Sequence, residues 1–221
     1  MPLFPLVRHI SNALSAILIR TPATPNQITT TSILLGLASA VVLLTNTREG
    51  DIACGVLLSA SYVLDNCDGD VARAKKLSSK FGAFLDTFGD WLVHAVLFAC
   101  LGVAAYERTD AILWLWFGIA ASAGSTINYV IGLLNDLRSN KAPPPDFNPA
   151  DEGEFKRPTG TDSIGKWLAF AFRELARADF CFIVLILALF DWLAYLLPFA
   201  AVGSQVYWIM FFMVHNEKYH V

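Results

Sequence analysis

Five aspartates fall within the 26 residues from Asp65 to Asp90, DNCDGDVARAKKLSSKFGAFLDTFGD, and long apolar runs flank them, VLLSASYVL before and WLVHAVLFACLGVAA after. Carboxylates are costly inside a bilayer and mark function there by default. At about 100° per residue, Asp65, Asp68, Gly69 and Ala72 share one helix face, while Asp70 points roughly 140° from Asp65 and is left out of the site. On a second helix Gly82, Asp86 and Asp90 drift by only about 40° per step. Two helices joined by the turn Lys75–Phe81 therefore set Asp65, Asp68, Asp86 and Asp90 against each other at similar depth. Four such carboxylates repel one another unless cations lie among them, and an all-oxygen donor set selects hard divalent ions over zinc or copper. Gly69 and Gly82 lie on the carboxylate faces, where a missing side chain admits a ligand to the backbone. Arg73, one turn past Gly69, is placed to meet a phosphate with its planar fork. The pattern points to a metal-bound diphosphate.

The spacing Asp-x-x-Asp-Gly-x-x-Ala-Arg, eight residues, Gly-x-x-x-Asp-x-x-x-Asp resembles the signature of the CDP-alcohol phosphotransferase family, matched at Asp65, Asp68, Gly69, Ala72, Arg73, Gly82, Asp86 and Asp90. The resemblance implies an all-α membrane enzyme of six transmembrane helices. Such an enzyme transfers a substituted phosphate from a CDP-linked donor to an alcohol and releases CMP. It implies two divalent cations, Mg2+ or Mn2+, held by Asp65, Asp68, Asp86 and Asp90, with Asp90 also the general base. Asp65, Asp68, Gly69, Ala72, Arg73 and Gly82 would bind the CDP group. Thr24-Pro25-Asn26-x-x-Thr29 resembles, more weakly, the family's lead-in to its first spanning helix, although capping alone would explain it.

Composition agrees with a polytopic membrane protein: 55% of the 221 residues are hydrophobic and 16% charged, a balance that excludes an ordinary soluble core. The net charge of −3 and the lack of a basic stripe argue against nucleic acid. Cys54, Cys67, Cys100 and Cys181 are scattered in apolar context and read as buried packing residues. No cleavable signal peptide is read at the N-terminus. Residues 1–27 are expected to form an amphipathic juxtamembrane helix, over Pro5–Arg20, and a linker. The helix has apolar Leu6, Ile10, Leu14, Ile17 and Leu18 at helical spacing, and either lies at the interface or docks on the protein. Residues 28–221 form the membrane domain. Spans are expected over Ile28–Thr45, Ile52–Arg73, Gly82–Tyr106, Ala111–Leu134, Phe180–Leu197 and Pro198–Val214, the last two separated by a tight bend near Pro198. Basic residues in short loops set the orientation. Arg73, Lys75, Lys76, Lys80 and Arg138 fall on the side of the acids, and Arg48 and Arg108, each beside acids, on the other. The site and both termini are thus expected to face the cytoplasm.

The polar insertion at 139–179 holds a proline-rich acidic stretch and then SIGKWLAFAFRELARADF. Arg138, Lys141, Arg173 and Arg177 either sit near lipid headgroups or grip the phosphate of an anionic acceptor. They tilt the expectation towards a phosphorylated polyol, inositol phosphate or glycerol phosphate, in phospholipid biosynthesis. CDP-diacylglycerol is one possible donor; an amino-alcohol CDP donor with a diacylglycerol acceptor is the alternative. A cation-coupled transporter is the rival from another class, but it predicts acids spread through the bilayer depth and paired repeats. His94, one turn after Asp90, is expected to be a polar packing residue rather than a partner of that carboxylate. Gly118, Ala120, Ala121, Ala123 and Gly124 give the fourth span a small-residue face suited to close packing within the chain or in the expected homodimer. Asn128 and Asn135 either line the cavity or bond neighbouring helices. Trp114, Trp116, Trp192 and Trp208 are expected as interfacial anchors.

Overall fold

The structure, a computed structural model, describes residues 6–139 and 179–217. These form seven α-helices with no strand among the described residues: α1 Val7–Leu18, α2 Pro25–Val42, α3 Arg48–Lys75, α4 Lys80–Thr109, α5 Ile112–Ser139, α6 Phe180–Leu189 and α7 Leu196–Glu217. Short 3-10 turns at Leu43–Thr45 and Leu193–Tyr195 follow α2 and precede α7. Three helical stretches are long and apolar enough to cross a membrane, Pro25–Thr45, Lys80–Thr109 and Ile112–Asn135. The long α3 carries the first acids, and the described part of α6 is only ten residues.

Local chemistry fixes the helix ends near the acids. Thr24 and Gln27 form a reciprocal capping box around Pro25 at the first position of α2. Ser79 caps α4, its hydroxyl accepting from the Gly82 N–H at 3.0 Å. Lys76 ends α3 in the left-handed region, φ 56°, so the turn between the acidic helix halves is only Lys76–Ser79.

Helix α3 packs against α1, α2 and α6, while α4 packs against α2 and α5, and α5 against α7. The main core joins Leu43, Leu58, Leu97, Leu101 and Leu197 at the end of the bundle away from the acids. A smaller core of Val7, Ile28, Val63, Cys67 and Val71 lies beneath α1. Gly102 and Gly118 bring α4 and α5 into backbone contact, since a Cβ on Gly118 would stand 2.8 Å from the Gly102 Cα. Ala121 is fully buried, and a side chain on Gly124 would collide with Ser204 and Gln205 of α7. Gly118, Ala121 and Gly124 of the small-residue face of α5 are thus used within the chain, whereas Ala123 is exposed. Asn128 belongs to the same seam, donating from Nδ2 to the Ser204 carbonyl at 3.0 Å.

The amphipathic helix turns differently from its apolar periodicity. Val7, Ser11 and Ser15 of α1 are buried, whereas Ile10 and Ile17 are 51% and 62% exposed. The expected stripe is therefore split: Leu14 and Leu18 flank the small core, and the isoleucines face out. Two small serines allow α1 to approach α3 closely, and the Cys67 thiol donates to the Ser11 carbonyl. The N-terminal N–H groups of α1 at Leu6 and Val7 donate to the buried Asp179 carboxylate at 2.8 and 2.9 Å, a cap supplied by a residue 172 positions away.

The tight bend lies before Pro198, over Phe190–Tyr195, where Asp191 has φ 61°. Pro198 sits in the first turn of α7, where a missing N–H leaves no helical bond unmade. At the same end of the bundle Arg108 donates from Nη1 and Nη2 to Asp51 at 2.6 and 2.8 Å, and Asp51 is 1% exposed. Arg48 donates to the Leu189 carbonyl at 3.2 Å. Removing one partner of a buried pair strands the other charge, at about 3–5 kcal/mol. Arg108→Ala is accordingly expected to unfold at markedly lower temperature in detergent, while Asp51→Leu combined with Arg108→Met recovers most of the loss. An unchanged unfolding midpoint for Arg108→Ala would contradict this role.

Of the tryptophans, Trp116 and Trp192 are 60% and 57% exposed, as lipid-facing anchors are. Trp114 instead packs on Phe117 and Tyr195, and the Trp208 indole N–H donates to Gln205.

Candidate active site

The Thr24 cap starts α2, the left-handed Lys76 ends α3 and the Ser79 cap starts α4, and together these ends surround a cleft of about 170 Å3. Asp68, Gly69, Ala72 and Arg73 line it from α3, Gly82, Ala83 and Asp86 from α4, and Pro25, Asn26 and Thr29 from α2. One carboxylate oxygen from each of Asp65, Asp68 and Asp86 lies within 4.8 Å of the other two. Three like charges that close repel strongly in a low-dielectric surround, a repulsion that a cation among them would relieve. Its all-oxygen donor set fits a hard divalent ion. Asp68 is buried and accepts a short hydrogen bond from the Thr29 hydroxyl, which fixes that carboxylate's orientation.

Asp90 lies one turn of α4 beyond Asp86, beside the trio. It is the exposed member of the four and shares with Asp65 a smaller adjoining pocket lined also by Ser32, Ser61, Tyr62 and His94. His94 does not bond the Asp90 carboxylate. Its Nδ1 lies 2.7 Å from the Asp90 backbone carbonyl and its Nε2 2.7 Å from the Tyr62 hydroxyl. A carbonyl only accepts, so Nδ1 carries the proton, and in the neutral ring Nε2 accepts from Tyr62. Both nitrogens are committed, and the histidine is the packing residue that the sequence indicates.

The two glycines act as expected for close approach. A Cβ on Gly69 would press on Arg73 Nη1 at 3.3 Å, and one on Gly82 would stand 3.1 Å from Ser79 Oγ and 3.2 Å from Asn26 Oδ1. Any larger residue at either position intrudes into the cleft. Arg73 is exposed and lies over Gly69, with one Nη2 donating to Asp70 at 2.6 Å. Asn26 and Thr29 were readable as helix capping residues in the Thr-Pro-Asn-x-x-Thr stretch, and only the fold shows them lining the cleft. Lys141, Arg173 and Arg177 lie outside the described residues. Arg138 lies on α5, and its side chain lies outside what the structure describes.

Helices long and apolar enough to cross a membrane, with a carboxylate-lined cleft among α2, α3 and α4 that could hold a metal ion, are the features of a membrane protein with a buried polar site. The family profile described as CDP-alcohol phosphatidyltransferase matches residues 22–214, and the chain belongs to that family. The family is divalent-metal dependent, in keeping with the aspartate trio. Among its relatives, a protein of Thermococcus kodakarensis named bifunctional IPC transferase and DIPP synthase is 34% identical over 122 residues, 55% of this chain and 26% of the relative. Its namesake in Aquifex aeolicus is 35% identical over 127 residues, 56% of this chain and 28% of the relative. The archaetidylinositol phosphate synthase of Pyrococcus horikoshii is 34% identical over 87 residues, 39% of this chain and 45% of the relative. The matches thus cover about a quarter of the length of the two bifunctional relatives and under half of the third.

Proposed function

We propose that this chain transfers a substituted phosphate from a CDP-linked donor to a phosphorylated polyol, releasing CMP, as a step in phospholipid biosynthesis. The observation that carries the reading is that Asp68 and Asp86 line one cleft with Gly69, Arg73 and Gly82, with a carboxylate oxygen of Asp65 within 4.8 Å of both, in a chain of the CDP-alcohol phosphatidyltransferase family. The polyol acceptor is supported by the Pyrococcus relative, whose name gives a phosphorylated inositol lipid as its product. In this reading the donor carries the lipid, as CDP-diacylglycerol does.

In this reading Asp65, Asp68, Asp86 and Asp90 would hold two divalent ions, Mg2+ or Mn2+. When bound, the ions neutralise the diphosphate and the departing CMP. Gly69, Ala72 and Gly82 leave room for the diphosphate, and Arg73 donates to its oxygens. Asp90, facing the adjoining pocket, takes the proton from the acceptor hydroxyl as that oxygen bonds to phosphorus and the bond to CMP breaks. Arg138, Lys141, Arg173 and Arg177 are the basic residues assigned to the acceptor phosphate.

The same reading places six helices, α2 to α7, across the bilayer and α1 along its surface with Ile10 and Ile17 towards lipid. The cleft would face the cytoplasm, because Lys75, Lys76 and Lys80 lie in sequence around the turn that joins the acidic halves of α3 and α4, whereas Arg108 at the other end of α4 is neutralised by Asp51. A homodimer belongs to the reading, and it pairs on a face other than the small-residue face of α5 that α4 and α7 cover.

The test is CMP release by the purified chain over a matrix of CDP donors and acceptors with Mg2+. The expected result is release with a phosphorylated polyol. Activity confined to an uncharged acceptor would overturn the acceptor class, and no release with any pair would overturn the reaction.

A further inference from the structure

Asp70 points away from the carboxylate trio, yet it is tied to the cleft through Arg73. Its Oδ1 accepts from Arg73 Nη2 at 2.6 Å, its Oδ2 accepts from the Ser15 hydroxyl at 3.0 Å, and Arg8 Nη1 lies 3.2 Å from both oxygens. The Asp70 side chain is 22% exposed and that of Arg73 57%. Arg73 is therefore a long, exposed cation whose one structural tether is a carboxylate held from behind by two residues of α1. The tether draws the guanidinium back along the helix, and the group lies over Gly69, with Nη1 closest to where a Cβ would stand. Its remaining N–H groups are left to the cleft. Arg8 matters for charge as well: it shares the Asp70 carboxylate with Arg73, so Asp70 stays neutralised while Arg73 is held through one nitrogen and offers its other N–H groups to a phosphate.

We infer that Asp70, backed by Arg8 and Ser15 of α1, is the positioning residue that presents Arg73 to the phosphates of the nucleotide, making α1 a working part of the donor site. The inference rests on the reading of the cleft as a cytidine diphosphate site. An untethered arginine side chain has roughly 2 kcal/mol of rotamer freedom to lose on binding, which sets an upper limit of about thirtyfold on the effect. Ser15 adds a neutral hydrogen bond, and Arg8 supplies a second charge-assisted one across α1 and α3.

The experiment measures donor KM, acceptor KM and CDP affinity for the full chain in detergent with Mg2+. Asp70→Ala is expected to raise donor KM and CDP Kd about tenfold, within the limit set by that rotamer freedom, and to leave acceptor KM unchanged. In an Arg73→Ala background the same substitution adds nothing, because no guanidinium remains to be placed. Asp70→Glu, which can still reach an arginine three residues on, restores most of the affinity. The pair Arg8→Ala and Ser15→Ala leaves Asp70 and Arg73 in place and shifts donor KM in the same direction, again only when Arg73 is present. Unchanged donor KM in Asp70→Ala, or equal losses with and without Arg73, would overturn the inference. Should Asp70→Ala fail to fold, the α1 pair decides by the same criterion. If the wild type neither binds CDP nor releases CMP, the reading of the cleft falls and this inference with it; a wild type that does both while Asp70→Ala matches it sinks the inference alone.

Discussion

Asp90→Asn is expected to lower CMP release by about 10²–10⁴-fold, the range that a lost general base commands, while CDP binding changes by only a few fold. The geometry separates the two quantities. Asp65, Asp68 and Asp86 form the tight trio without Asp90, so most of the oxygen set facing the diphosphate survives the substitution. Asp90 instead lines the adjoining pocket beside Ser61 and Tyr62. Among the described residues lining that pocket, Asp65 is committed to the trio. His94 has both ring nitrogens engaged, and the Tyr62 hydroxyl is donating to it. Single-turnover CMP release set against CDP affinity separates binding from chemistry. Wild-type release by Asp90→Asn would remove this carboxylate as the base.

The second large effect is expected at Asp86. Asp86→Asn removes one of three charges that a cation must bridge and leaves Asp65 and Asp68 as the remaining pair. Metal-dependent activity should be lost, and CDP affinity should fall to that of wild type in chelator. Asp68→Asn should differ in one respect. Its oxygen also accepts from the Thr29 hydroxyl, so the variant turns a charge-assisted bond between α2 and α3 into a weaker neutral one and adds a small loss of thermal stability to the loss of activity. A neutral hydrogen bond is worth about 1 kcal/mol and one to a charged group somewhat more. Activity of Asp86→Asn unaltered by chelator would contradict the cation-bridged cleft.

The carboxylate faces were legible from the sequence because helical phase depends only on local spacing. Asp65 to Ala72 and Gly82 to Asp90 each lie on one continuous helix, and the short turn Lys76–Ser79 leaves little choice in how the two meet. Asp70 shows where such reasoning stops. Phase correctly turned it away from Asp65, but its partners Arg8 and Ser15 are 62 and 55 residues distant, and no periodicity reports a contact of that separation. The Asp179 cap on α1 spans still more of the chain. The amphipathic stripe of α1 misled about its buried side for a related reason: an apolar face can be satisfied by lipid or by protein, and Ser11 and Ser15 won the protein side by being small. Pro198 was read as a bend because proline breaks helix interiors, whereas its place in a first turn carries no penalty, and Asp191 makes the bend. The four basic residues assigned to the acceptor lie in or next to the polar insertion, where charge indicates a phosphate or a headgroup equally well.

Calorimetric titration of CDP into the purified chain, with Mg2+ and then with EDTA, tests most directly whether cations join the aspartate trio to a diphosphate. The account predicts binding with Mg2+ that weakens by at least about tenfold, or 1.4 kcal/mol, in EDTA, with Asp86→Asn in Mg2+ resembling wild type in EDTA. Equal CDP affinity in all three titrations would contradict it.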